Sequence, residues 1–479
     1  MNGSATGSMR RMALRGLLAA MLALLPSWRA YGDQIPTGWA ADNMHPIGYS
    51  GMDGRGGAFK MAIKKVNGRW YLYTAHLWHR GWSIVDVTDP ANPQYVKFIP
   101  GPDNTWTTQV DLHDNLMVTS LSDIYVPWGG DPSKPFAEGI MFWDISDPVN
   151  PKLLSHWRTG MPPGCGWKGA GCTSGPAVGN TSGTHRNGYP GGKYVYASAF
   201  ATGYTGEILR ILDVSEPKEP REVGRFALPE QQNDGSKPVP DLIFHGPAVI
   251  DGDQAYLGYG SALVILNVAD KSHPQLISRS NFGPPFKSGR VAVHDALPIP
   301  GKHVLFVHSE GSGGDTLHTD DPRLNQPPTC SAALDLVAMV DIKDPSKPRL
   351  MSVFPTPVPP PGLPYTNFCD KGGRFGPHNT NLEQHLPDVQ KQGDLIYLTY
   401  FNAGLRIFDI QDPRLPKEVG WFIPPAPTHR FGPIPEGKLV SQSEDVLVDT
   451  RGNIYITDKQ WGLFILRYTG PGAIAPTDK

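Results

Sequence analysis

Short apolar runs recur along the chain, and six of them end in the same way. Trp82-Ser-Ile-Val-Asp86 is followed by Ile140-Met-Phe-Trp-Asp144, Leu209-Arg-Ile-Leu-Asp213, Leu263-Val-Ile-Leu-Asn267, Val337-Ala-Met-Val-Asp341 and Leu405-Arg-Ile-Phe-Asp409. Each is β-branched and apolar, as a buried strand requires. An acidic turn follows, usually with proline, as at Pro90, Pro148, Pro217, Pro345 and Pro413. Proline cannot donate to a sheet ladder, and an Asp side chain can cap the turn. A second proline (Pro93, Pro151, Pro220, Pro348, Pro416) comes three residues later, ahead of an outer strand such as Glu222-Val-Gly-Arg-Phe226. A further strand precedes each run, as in Lys193-Tyr-Val-Tyr-Ala197 and Leu395-Ile-Tyr-Leu-Thr399.

Intervals of 54 to 74 residues separate the conserved-phase position from Asp86 to Arg467. Each unit holds four strands and their loops, and seven units fit the chain. The seventh run, Leu463-Phe-Ile-Leu-Arg467-Tyr468, leaves no room for a fourth strand, whereas Pro46-Ile-Gly-Tyr-Ser50 is an orphan strand before the first unit. The pattern predicts an all-β fold, a seven-bladed β-propeller of four-stranded blades over residues 33–470, closed by an N-terminal strand that completes the last blade. Residues 471–479 read as a tail. The runs at Leu209 and Leu263 resemble the LVIVD repeat of exported bacterial propellers. That resemblance implies architecture and export, and no catalytic residue.

The 54 Gly and 49 Pro of the 479 residues fit a turn-dense chain without long helices. A formal net charge of −2 gives no electrostatic footprint for nucleic acid. Residues 1–32 read as a signal peptide: Arg10, Arg11 and Arg15 precede the short apolar run Leu17–Leu25, and Ala30-Tyr31-Gly32 offers a cleavage site. No other apolar run reaches spanning length, so a periplasmic or secreted protein without stable membrane insertion is expected. Export permits disulfides. Of the three pairings open to four cysteines, Cys165–Cys172 and Cys330–Cys369 are preferred, each closing a loop.

Candidate chemistry comes from aligning the starts of the innermost strands. His185, His245, His294 and His378 fall at one phase in units three to six, and Glu444 follows in unit seven. Lys60 and Gln109 take roughly that place in units one and two. Four neutral imidazoles around one axis suit a divalent transition metal, iron or copper in preference to manganese or zinc. Glu444 would serve as fifth ligand, orienting group or base, and Arg186 and Asp295 complete the catalytic set. Asn379, Asn381, Asp445, His308, Glu310, His76 and His79 lie on the same face, and the loops Gly160–Gly183 and Gly311–Ala332 are long enough to act as lids.

No GxSxG, HExxH, phosphate-binding loop, dinucleotide fingerprint or CxxCH is present in a fitting context, so redox chemistry would rest on a directly bound metal. The first expectation is a metal-dependent oxidoreductase acting on a small molecule. Its four-histidine geometry is similar to that of the carotenoid-cleaving oxygenases. The alternatives are a metal-assisted lyase or hydrolase of a carbohydrate or other secreted polymer, with Arg186 and Lys60 on a substrate carboxylate, and a non-catalytic binding protein.

Overall fold

The computed structural model describes residue 1 and residues 32–124, 129–131, 133–160, 183–232, 243–287, 291–311, 334–431 and 439–474. Gly32–Lys479 forms one compact unit. Residues 2–31 of the expected signal lie outside the described residues, as do Cys165, Cys172 and Cys330. Among the described residues no helix is long and apolar enough to cross a membrane.

Seven antiparallel sheets make up the ring. From the innermost strand outward, blade one is Ala58–Val66, Arg69–His76, Gly81–Asp86 and Gln94–Pro100. Blade two is Asp111–His113, Leu116–Asp123, Gly139–Asp144 and Lys152–Trp157; blade three is Thr184–Gly188, Tyr194–Ala199, Ile208–Asp213 and Arg221–Phe226. Blade four is Phe244–Asp251, Gln254–Tyr259, Ala262–Asn267 and Gln275–Asn281; blade five is Asp295–Ile299, Val304–His308, Val337–Asp341 and Arg349–Val353.

Closure uses the N-terminal segment twice. Met44–Ser50 pairs with Gly462–Tyr468 as the outer strand of blade seven, beyond Ser443–Val448 and Asn453–Asp458. Ala40–Asp42 additionally pairs with Lys417–Ile423, the outer strand of blade six, which also holds Leu395–Thr399 and Leu405–Asp409. The innermost position of blade six is not a regular strand; Thr380 bridges Leu398, and His378 N donates to Thr399 O.

The core lies between the sheets. Along Ala262–Asn267, Val264 and Leu266 pack with Leu209 and Ile211 of blade three. The intervening Leu263 and Ile265 pack with Leu305 and Val340 of blade five. A period of two therefore presents apolar side chains to both neighbours, which is why these runs read as continuously apolar. Each such fully buried side chain stabilises the ring by about 1.5–3 kcal/mol.

The repeated turn works as its chemistry requires. Asp86, Asp144, Asp213, Asn267, Asp341 and Asp409 each accept, through Oδ1, a hydrogen bond from the backbone N–H two residues on, at 2.7–2.9 Å. A bulge in the third–outer strand pairing recurs at one position, between Ile84/Val85, Phe142/Trp143, Ile211/Leu212, Ile265/Leu266, Met339/Val340 and Ile407/Phe408. Opposite it the outer strand carries Ser155, Gly224, Ser278, Ser352 or Gly420 in blades two to six, and Lys97 in blade one. Ser155, Ser278 and Ser352 donate to the carbonyls of Pro217, Pro345 and Pro413 in the following blade. At Gly48 and Gly224 an added Cβ would stand 2.0 Å from Pro90 O and 1.9 Å from Lys271 O. Gly224→Val drives a side chain into that carbonyl. The expected result is a lower urea midpoint, by about 1–3 kcal/mol of stability with an unchanged denaturant slope.

Candidate metal centre

The irregular starts of the innermost strands bring four imidazoles into one chain of contacts. Ring centroids are 4.5 Å apart for His185 and His245, 5.2 Å for His245 and His294, and 5.4 Å for His294 and His378. Bulges at Thr184/Arg186 and Phe244/Ala248 set the side-chain directions at two of these starts. Glu310, which follows the second strand of blade five, reaches the same point. Its Oε2 lies 3.0 Å from His245 Nε2 and 3.7 Å from His294 Nε2. His245, His294 and Glu310 each bring one ligand atom within 4.8 Å of the others, a grouping able to hold a metal ion.

Carboxylates stand behind two of the imidazoles. Asp295 Oδ1 is 3.0 Å from His294 Nδ1, and its Oδ2 is 3.2 Å from His308 Nε2. Glu444 Oε2 is 2.9 Å from His378 Nδ1, while Oε1 faces Lys459 Nζ at 3.0 Å. A carboxylate at Nδ1 fixes the ring and favours the proton there, leaving Nε2 as the lone-pair nitrogen. Burial disfavours the charged form of three of these imidazoles. It lowers His294 to about 3, and, with the His245 ring nearby, takes His185 well below the ordinary histidine value. His378 is lowered by the same cause. Burial would raise the Glu310 carboxyl, but Arg374 and then His245 outweigh it and keep it ionised. Arg374 Nη2 donates to Glu310 Oε1 at 2.5 Å, and its guanidinium lies over Phe401, which stacks on His378.

The other sequence-derived candidates fall elsewhere. Asp295 is fully buried, so it acts on His294 and His308. Arg186 donates to His294 Nε2 at 2.9 Å and to Asn379 Oδ1 at 3.1 Å. Lys60 is not level with the ring. In blade one Phe59 stands beside His378, with centroids 5.5 Å apart, because a bulge between Ala58 and Met61 shifts the count by one. Lys60 Nζ instead meets Glu383 Oε1 at 2.8 Å and Asp445 Oδ1 at 3.4 Å. Gln109 lines a cavity with Lys60 and Arg186. His76 spends both ring nitrogens on Gly56 O and Ser83 Oγ. Asn381 Oδ1 accepts from Val448 N, and residues 161–182 and 312–332 of the two expected lids lie outside the described residues. Arg374 and Lys459 were not singled out from the sequence; they sit in non-repeating segments and carry no periodic signal.

At the opposite end of the innermost strands, residues 382–392 of blade six reach blades one, two and seven. His385 Nε2 donates to Leu112 O, Lys65 N to Asp388 Oδ2 and Gln390 N to Val448 O. Leu386 and Val389 are buried with Ile63 and Leu112. Asp111, Glu383 and His385 form a second acidic–imidazole group there. Burial opposes the charge on His385, but Asp111 outweighs it and raises the imidazole to about 9.

Two outcomes follow from these charges. Lys60→Met leaves Glu383 and Asp445 buried without their cation and should cost about 3–5 kcal/mol, read as a fall in unfolding free energy. Protonated His385 stabilises the fold fully below pH 6.5, and that contribution is lost as pH rises through about 9. The urea midpoint should fall across that window in the wild type and stay flatter in His385→Gln.

The family model for the LVIVD repeat matches residues 248–281, which span blade four. No curated protein matches the chain significantly. Among solved structures, the β-propeller domain of Cps50 (Swd1) from Myceliophteria thermophila is 11% identical, covering 86% of this chain and 96% of its own, at a TM-score of 0.47. A streptogramin B lyase is 9% identical over 91% of this chain and 99% of its own, at a TM-score of 0.44. A functionally unknown protein from Desulfotomaculum acetoxidans is 12% identical over 76% of this chain and 84% of its own, at a TM-score of 0.40.

Proposed function

We propose that this chain, an LVIVD-repeat β-propeller, holds one first-row transition ion at the histidine end of its channel and uses it to oxidise a small molecule. The observation that carries this reading is the convergence of His245, His294 and Glu310, with Asp295 behind His294. Two imidazoles and one carboxylate are a donor set suited to iron(II) with open positions; the further imidazoles of His185 and His378 also suit copper. A redox-active ion at this place supplies the electron transfer for which the sequence holds no organic-cofactor motif.

The chain's own groups have separate roles. Asp295 and Glu444 orient His294 and His378. Arg374 anchors Glu310 and balances its charge. Arg186 holds its N–H against His294 Nε2; for His294 to hold an ion through that nitrogen, this hydrogen bond would have to give way, and the neighbouring cavity would leave the guanidinium room. Periplasmic or secreted placement goes with this reading, and the disulfides Cys165–Cys172 and Cys330–Cys369 remain part of it.

Elemental analysis of the purified protein after loading with iron, copper, zinc or manganese tests the centre. One ion per chain is expected, with loss of occupancy in His245→Ala, His294→Ala and Glu310→Gln. Asp295→Asn should weaken affinity by about 10–100-fold. A wild type that takes up no stoichiometric metal, or an ion that survives all three substitutions, removes the reading. Oxygen uptake by the loaded protein with small organic reductants tests the reaction; no uptake with any of them leaves a metal site without oxidase chemistry.

A further inference from the structure

Nearly every cation inside the ring has an acidic or carbonyl partner. Lys60 has Glu383 and Asp445, Arg374 has Glu310, Arg406 has Glu418, and Arg451 has Asp449. Lys371 donates to Asn402 O. Arg186 is different. Its side chain is among the largest that are fully buried, at 1% exposure. Nη2 is bound to two neutral groups, His294 and Asn379. Nε and Nη1 have no hydrogen-bond partner, and among the described residues no carboxylate is within ion-pairing distance. An ionised group left so costs several kcal/mol unless something of opposite charge meets it.

Arg186 lines a cavity of about 70 Å³, with Lys60, Gln109 and Asn187 around it and Glu383 and His385 across it. The carboxylates on that wall, Asp111 and Glu383, and Asp445 behind Lys60 are already committed. Asp445 accepts from Met61 N and faces Lys60; Asp111 accepts from Tyr189 N and Leu112 N. Glu383 is held by Lys60. The guanidinium is the charged group left without an ion pair, beside a space lined by both polar and apolar side chains.

We infer that this cavity is a binding site for a small anion, a carboxylate or inorganic anion the size of formate, bicarbonate or a halide, with the buried Arg186 guanidinium as its principal ligand. The volume admits a few heavy atoms and excludes a sugar or a nucleotide. Hydrogen bonds from a buried guanidinium to an anion are charge-assisted and stronger than those to a neutral acceptor. Asn187 Oδ1, also without a partner, is an acceptor and fits a water beside the anion. The site lies immediately beneath the imidazoles, so an anion there would draw Arg186 away from His294 Nε2. The inference stands on Arg186 and the cavity and does not require a metal.

The full-length protein, stripped with chelator, is titrated with sodium formate, bicarbonate or bromide at constant ionic strength, with gluconate as the anion too large to enter. The thermal midpoint should rise and saturate with the small anions and not with gluconate. That rise should vanish in Arg186→Gln and persist in Glu310→Gln, which alters the proposed metal ligands and leaves the cavity wall intact. A crystal grown in bromide should show anomalous density against Arg186. Water alone at Arg186 in that crystal, or an equal rise in gluconate or in Arg186→Gln, overturns the inference. If Arg186→Gln does not fold, the bromide crystal of the wild type decides. Binding of free formate or bromide identifies a solute site; binding seen only with larger organic acids, through their carboxylate, assigns it to substrate and overturns the solute reading.

Discussion

In five of the seven blades a carbonyl at the turn of one blade enters the outer strand of the blade before it, at a glycine or serine that leaves room for it. Everything at the centre of the ring depends on this contact. The side-chain cap of each acidic turn presents the carbonyl at a fixed angle. The recurrent bulge turns the receiving strand toward it. Repeated around the ring, this docking sets the rotation from blade to blade. Equivalent inner positions then arrive at equal heights, and four histidines separated by long stretches of sequence come within contact of one another. A shift of one residue in any blade would send its imidazole to the other face of its strand.

The channel separates uncharged donors from paired charges. Imidazoles, three of them kept neutral by burial, occupy one end. Behind them, carboxylates are held ionised by cations or by the imidazoles they orient. This division resolves a conflict. Ligand nitrogens must be deprotonated to bind a metal, yet an interior crowded with free carboxylates would be unstable. Pairing Glu310 with Arg374 and Glu444 with Lys459 keeps negative charge near the centre at a tolerable cost.

The repeat was legible because one strand and its turn recur with little variation, and the propeller followed from counting. The orphan strand at Pro46–Ser50 was legible as the partner of a blade lacking one. Its companion Ala40–Asp42 was not, because three residues of mixed polarity carry no period. The four histidines were found by phase. Phase misplaced Lys60, since the inner strand of blade one is bulged and counting from a motif on another strand passes over the extra residue. Glu310 was noted only as a neighbouring candidate, being at the end of a second strand and outside the phase used. The segment 382–392 gave no signal: its contacts are to residues of three other blades, and such long-range pairings leave no local trace.

The double closure has a consequence for how the chain reaches its final form. Ala40–Asp42 and Met44–Ser50 are made early, yet their partners are Lys417–Ile423 and Gly462–Tyr468. While the intervening blades are made this stretch has no edge to join, and the nascent ring carries open edges until Gly462–Tyr468 appears. Contacts so distant in sequence form slowly, and open edges invite pairing with other copies. Closure of the ring therefore waits until Gly462–Tyr468 has been made, and its hazard is a neighbouring copy that supplies the missing strand first.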